Sequence, residues 1–171
     1  MRLSTGPRIC LAVLSAAVVI SLSANSSAQG TDEKSIVSLA ASAKFSAIPI
    51  APACFTVAVE KGDPGTGPSV ILAKFTPGCV APFHWHTPSE TAMLVSGSLE
   101  LQMRDEKAMV AHHGDFVYLP AHHVHRATCL GTAPCFVFLS SDAAFDIHWV
   151  DAAGNEISLE TAMKNAKGAK K

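Results

Sequence analysis

The sequence predicts an all-β domain, a sandwich or barrel of short strands with short helical segments at its two ends. Three observations carry this. Apolar or alternating runs recur at residues 55–60, 70–75, 91–95, 98–103, 108–112, 115–119, 123–128, 135–140 and 145–150. Between them lie turn-forming segments, GDPGTGP, PGC, SGS, RDEK, HHGD, LPAHH and LGTAP, rich in residues that accept the backbone angles of tight turns. The runs follow one another too closely to leave room for crossover helices, which excludes an alternating α/β chain.

The first segment is unlike the rest. Arg2 and Arg8 precede an apolar run over residues 9–22, and the small-residue stretch SANSSAQG follows. That is the layout of a secretory signal peptide, with cleavage expected after Ala28. The run is short for a spanning helix and no stop-transfer charges follow it, so no stable membrane span is expected after removal. An uncleaved N-terminal anchor is the alternative. The mature chain is then secreted or periplasmic. Residues 29–49 form an N-terminal arm, with a short helix expected at 32–43 because Asp32 and Glu33 favour a first turn. The barrel spans 50–152. Residues 153–171 form a C-terminal tail in which SLETAMKNAKGAKK reads as a weak helix.

The 171 residues suffice for one domain with a core. With 13 Lys and Arg against 14 Asp and Glu, nothing marks a nucleic-acid partner. The only basic run, 164–171, is a solvated tail. Export bears on the four cysteines of the mature chain, Cys54, Cys79, Cys129 and Cys135. In an oxidising compartment an even count suggests disulfides. A hairpin centred near residues 65–67 puts Cys54 opposite Cys79, and CLGTAPC is a turn with a cysteine at each end. The expected pairs are Cys54–Cys79 and Cys129–Cys135, four separate buried thiols being the alternative. No C-x-x-C pair points to a zinc–thiolate site.

All eight histidines fall after residue 83. His84 and His86 are two apart, so on a strand they share a face and Trp85 takes the other. Thr87, Pro88 and Ser89 can turn the chain, and Glu90, Ala92 and Leu94 then share a face. Two imidazoles and a carboxylate at one point suit Fe, Mn, Ni, Cu or Zn. The plainer reading is a polar strand end on an apolar domain.

A longer pattern surrounds this set. Residues 78–97 read G-x5-H-x-H-x3-E-x6-G through Gly78, His84, His86, Glu90 and Gly97, and Gly114, Pro120 and His125 read G-x5-P-x4-H. Together these resemble the two motifs of the cupin superfamily. The first matches at every defining position. The second departs at His122, where the family usually has glycine, and at Cys129, where it has asparagine. The resemblance covers about residues 50–150. It implies a jelly-roll or double-stranded β-helix barrel with a divalent transition metal inside, held by His84, His86 and Glu90 from the first motif and His125 from the second. The chain also resembles small exported bacterial cupins with a Gly62-Asp63-Pro64 turn before the first motif and an aromatic strand, His148-Trp149-Val150, after the second. A cupin scaffold without metal is the alternative, although such cupins usually lack a ligand.

The remaining residues have plainer expectations. His123 shares a face with His125 and could act as a hydrogen-bond donor or proton shuttle, or lie idle at the rim. His112, His113 and His122 are expected to be exposed, and His148 to pack. Met93, Leu94, Leu99, Leu101 and Met103 read as core and pocket wall. Phe83 and Trp85 are apolar and outward-facing; they could join a homodimer contact or pack under the N-terminal segment.

The resemblance and the ligand set imply a mononuclear metal-dependent oxygenase or oxidoreductase acting on a small organic substrate, with Glu90 as ligand or base. The apolar lining disfavours oxalate, and Arg126 faces away from His125, leaving no internal carboxylate clamp. The alternatives are a non-catalytic periplasmic metal- or small-ligand-binding cupin, and a metal-assisted isomerase or lyase.

Overall fold

Alternation of buried and outward residues shapes nearly every strand. In the computed structural model, which describes residues 34–168, the elements lie in the unit Val37–Lys171. The secretory segment expected at 1–28 lies outside the described residues. The strands are β1 Ser46–Ala47, β2 Phe55–Gly62, β3 Ser69–Phe75, β4 Val80–Trp85, β5 Glu90–Ser96, β6 Leu99–Met103, β7 Met109–Ala111, β8 Phe116–Leu119, β9 His125–Cys129, β10 Cys135–Ser141 and β11 His148–Trp149. One helix, α1 Leu159–Gly168, follows.

They form two sheets, β1-β2-β3-β10-β5-β8 and β11-β4-β9-β6-β7, with every pairing antiparallel. From β3 to β6, and again from β7 to β11, successive strands switch sheets, as in a jelly roll: β4 and β6 lie in one sheet, β3 and β5 in the other. The inner faces supply the core. Ile71, Ala73 and Phe75 of β3 meet Ala92 and Leu94 of β5, Val137 and Leu139 of β10, Leu99 and Leu101 of β6, and Ala127 of β9 in one buried cluster. Each large side chain buried there contributes about 2 kcal/mol of hydrophobic stabilisation.

Gly97 shows why one motif glycine is needed. It closes β5 at φ +87, and a Cβ there would sit 2.9 Å from Cys135 Cα and from the Pro134 carbonyl oxygen. Only glycine fits both the left-handed backbone and the close approach of β10.

The cysteines pair as Cys54–Cys79 and Cys129–Cys135, with Cα separations of 5.6 and 5.8 Å. Such bonds are compatible with an oxidising, exported setting.

Four expectations need correction. The helix expected at 32–43 is a single 3-10 turn, Ala40–Ser42, with no buried residue and no side-chain cap; a Ser- and Ala-rich stretch with no face to bury has little to hold it helical. Asp32 and Glu33 lie outside the described residues. Met93 is not pocket wall: it alternates with Ala92 and Leu94 and is 48% exposed. Phe83 and Trp85 are half-buried, Phe83 under the Arg126 guanidinium and Trp85 stacked on His148 at 3.8 Å. His123 precedes β9, outside the strand that was to set its direction.

The C-terminal helix does form. The Ser158 hydroxyl accepts from the Thr161 N–H at 3.2 Å, Ala162 is buried, and Lys164 bridges to Glu160 at 2.7 Å. That is an N-cap, one apolar contact and an (i, i+4) pair, enough for a short docked helix. Among the described residues no helix is long and apolar enough to cross a membrane.

Candidate metal centre

The two histidines of the first motif reach the interior through an irregularity in β4. That strand pairs with β9 at Val80↔Thr128 and Ala81↔Ala127, then shifts register before His84↔His125. Pro82 and Phe83 occupy the shift. A proline inside a strand that is not at the sheet edge belongs at such a bulge, because it cannot donate to the ladder. The bulge turns His84 inward beside His125. His86 follows β4 by one residue, and Glu90 opens β5 after the Thr87-Pro88-Ser89 bend.

His84, His86 and His125 are each no more than 6% exposed. One ring nitrogen from each lies within 4.8 Å of the other two. Their ring centroids are 4.2 Å apart for His84 and His125, 4.8 Å for His84 and His86, and 5.3 Å for His86 and His125.

Each ring is fixed by a backbone carbonyl. The Nδ1–H of His84 donates to Pro82 O at 2.7 Å, that of His125 to His123 O at 2.8 Å, and that of His86 to Asp146 O. A carbonyl can only accept, so the proton must sit on Nδ1 and the Nε2 lone pair is free to ligate. Burial reinforces the neutral state. It pulls the pKa of His86 and of His125 down to about 4, and that of His84 well below the ordinary range with help from His125 and His86.

Glu90 is 8% exposed and its Oε2 lies 3.5 Å from His86 Nε2. Burial pushes its carboxyl up to about 7. Glu90 thus stands beside the three imidazoles but outside the group that converges most closely. Three neutral imidazoles with free Nε2 atoms and one adjacent carboxylate form a donor set that fits a first-row transition metal.

Behind these groups lies a cavity of ≈ 60 Å³ lined otherwise by apolar side chains, among them Phe55, Phe75, Leu94, Leu101 and Trp149. Trp149 spends its indole N–H on Ile50 O at 3.0 Å. Glu90 is the only acidic residue and no Lys or Arg is found in the lining.

The remaining histidines stay outside. His112, His113 and His122 are exposed. His122 adopts φ 61, the left-handed backbone that glycine would take most easily at that motif position, and its N–H donates to His86 O at 2.8 Å. His123 contributes its carbonyl to His125 rather than its ring.

Sequence reasoning missed one supporting residue. Asp146 holds His86 through its backbone oxygen, while its carboxylate accepts from the Thr87 N–H at 2.7 Å and lies 3.2 Å from His148 Nε2. Burial alone would raise the Asp146 pKa, but the bonds from Thr87 and His148 outweigh it and hold the carboxyl below the ordinary range. A backbone acceptor 60 positions from its partner leaves no signature in sequence.

Comparison with known proteins agrees with this architecture. The cupin-domain family model matches residues 71–141, which include all four of these side chains. The polyketide cyclase RemF from Streptomyces resistomycificus superposes with a TM-score of 0.63 at 13% identity, over 78% of this chain and 94% of that one. An RmlC-like cupin from Ralstonia eutropha JMP134 gives a TM-score of 0.55 at 21% identity, over 75% and 85%. KdgF from Halomonas sp. gives 0.51 at 18%, over 61% and 92%. Identities this low speak for the fold alone. No curated protein is a significant match.

Proposed function

We propose that this chain, a cupin by its family-model match over residues 71–141, is a mononuclear metal-dependent enzyme acting on a small organic substrate. His84, His86 and His125 hold the metal through Nε2, and Glu90 serves as a fourth ligand or as the base. A divalent transition metal held there supplies Lewis-acid polarisation of a substrate oxygen. The observation that carries the reading is the placement of Glu90, the one carboxylate on an otherwise apolar wall, beside the three imidazole nitrogens.

The chain's own residues then have distinct tasks. The carbonyls of Pro82, Asp146 and His123 keep the three rings in one tautomer. The apolar wall excludes water and strengthens every charge interaction inside it. The Glu90 carboxylate accepts a proton from a hydroxyl or an acidic C–H of the substrate and can return it to another atom. Proton transfer of this kind serves an isomerase, lyase or cyclase, and the structural relative RemF is named as a polyketide cyclase.

The oxygenase or oxidoreductase reading uses the same centre. The apolar lining of the cavity favours it, since dioxygen is itself apolar and partitions into such surroundings. Export to the periplasm or beyond, with removal of residues 1–28, is part of the proposal.

Metal analysis of protein purified from the periplasm is the first test, with close to one transition-metal ion per chain expected. Dioxygen uptake against catechols, flavonols, thiols and dicarboxylates, set beside anaerobic solvent-deuterium incorporation into small keto acids, separates oxygenase from proton-transfer chemistry. Glu90→Gln should keep the metal and lose turnover by about 100-fold or more. Full metal with neither reaction in either panel would favour a binding protein.

A further inference from the structure

The cavity behind the imidazoles, at ≈ 60 Å³, has room for a few waters or a group of a few heavy atoms. The segment linking β10 to β11 closes it over His86. Phe145 of that segment lines the cavity, its ring centroid 4.3 Å from that of His86. It is held on both sides. Its own N–H donates to Pro64 O at 2.7 Å in the β2–β3 turn, and the next residue, Asp146, binds His86 and Thr87.

On the outer side of the same segment lies an open cleft of ≈ 670 Å³, lined by Thr87, Ser89, Tyr118, Asp142, Ala144 and Asp146 among others. Thr87 directly follows His86, and Ala144 and Asp146 flank Phe145. Neighbouring residues of the same two segments therefore line the cleft and the cavity in turn. The cleft lining carries two carboxylates and no Lys or Arg.

We infer that the cleft receives the body of the substrate, that only the reacting end passes into the cavity, and that Phe145 sets how wide that end can be. The body is neutral and hydroxyl-bearing, or cationic; an anionic body would meet Asp142 and Asp146 with no cation to receive it. A molecule confined to the cavity would have to be tiny, whereas a two-part site accommodates an ordinary metabolite and presents one end of it. This inference rests on the proposed reading of the cavity as a substrate site and adds the outer half and the filter between them.

The test requires no metal, so its outcome stands apart from that of the metal analysis. Ala92→Cys places a single thiol on the cavity wall beside Glu90, the native cysteines of the barrel being paired. Its modification by methanethiosulfonates is followed by mass spectrometry of the peptide containing residue 92. The methyl reagent should react about tenfold or more faster than the benzyl reagent, and adding Phe145→Ala should shrink that ratio by about tenfold, with Phe145→Leu in between. A ratio that neither replacement moves overturns the role of Phe145. Of two reagents similar in size, the trimethylammonioethyl form should react several-fold faster than the sulfonatoethyl form, by roughly the factor that local potentials produce. Asp142→Asn should narrow that preference. Equal rates, or faster reaction of the anionic reagent, would overturn the charge class assigned to the cleft.

Discussion

Two ends of the same strand pair do opposite work. β4 and β9 run side by side, and at one end Cys79 and Cys129 sit next to each other, each in a disulfide, with the Cys129 N–H donating to Cys79 O at 2.9 Å. At the other end His84 faces His125. The first end is closed covalently and by regular ladder bonds. The second is closed by three backbone carbonyls, a bulge at Pro82 and Phe83, and a segment that arrives from β10. The cross-linked end needs no ligand to hold its shape, whereas the histidine end gathers buried groups whose lone pairs point at one another. Stability and chemistry are thus placed a few residues apart on the same two strands.

The contrast breaks most sharply at the disulfides. A chain-entropy estimate for the loop of separation 25 closed by Cys54–Cys79 gives a loss of about 3.5 kcal/mol when both cysteines become serine. The loop of separation 6 closed by Cys129–Cys135 gives about 2 kcal/mol on the same basis. Urea unfolding should show that order, with bound metal retained at room temperature in both variants. Loss of metal from the Cys129→Ser/Cys135→Ser protein would mean that the two ends are coupled.

His84→Ala or His125→Ala should act on the other end. Chelator competition is expected to show metal affinity reduced on the order of 100-fold, about 2.7 kcal/mol, with the fold kept by circular dichroism. Affinity within a factor of three of the parent would remove that histidine from the ligand set.

The pH dependence of the metal-free protein comes next. His86 and His125 are held near 4 in the fold against 6.5 in the unfolded chain, and His84 is lowered too. The unfolded state therefore binds more protons across that window, so stability present above about 6.5 is lost as the pH falls toward 4. Glu90 has the opposite sign. Its carboxyl is raised from 4.5 to about 7, so its contribution is present at low pH and lost as the pH rises through about 7. Three histidines outweigh one glutamate in the shared window. The thermal midpoint should climb from about pH 5 and level off at about pH 7, and Glu90→Gln should steepen the climb. A midpoint independent of pH across this range would show that these groups are not buried in solution as they are here.

The smallest effect is expected at His122. It holds a left-handed backbone that costs an L-residue about 1 kcal/mol more than glycine, offset in part by glycine's greater unfolded entropy. His122→Gly should stabilise by about 0.5 kcal/mol in thermal or urea unfolding. A destabilised variant would show instead that the ring contact with Trp85, at 4.6 Å, outweighs the backbone.

Much of this was legible beforehand because it depends on local pattern. Period-two alternation, visible in FTVAVE and VILAKF, places side chains in or out of a sheet wherever the sheet ends up. The cysteine spacings around two turns follow from hairpin geometry. Where alternation was asked to reach past a strand end it failed, as at His123, and where burial depended on which face met the other sheet, Met93 went outward.

By itself, the sequence determined the strand and turn order, the turn positions of its glycines and the residue types at the candidate site, because each is a property of a few neighbouring residues. The grouping of His84, His86, Glu90 and His125 was implied by the cupin resemblance; only the tertiary structure decided their distances and the ring contacts among them, and that Asp146 and Phe145 arrive from a distant part of the chain to hold and cover His86. Convergence depends on sheet twist, on a bulge that shifts the register, and on backbone carbonyls, which every residue carries and no sequence pattern marks.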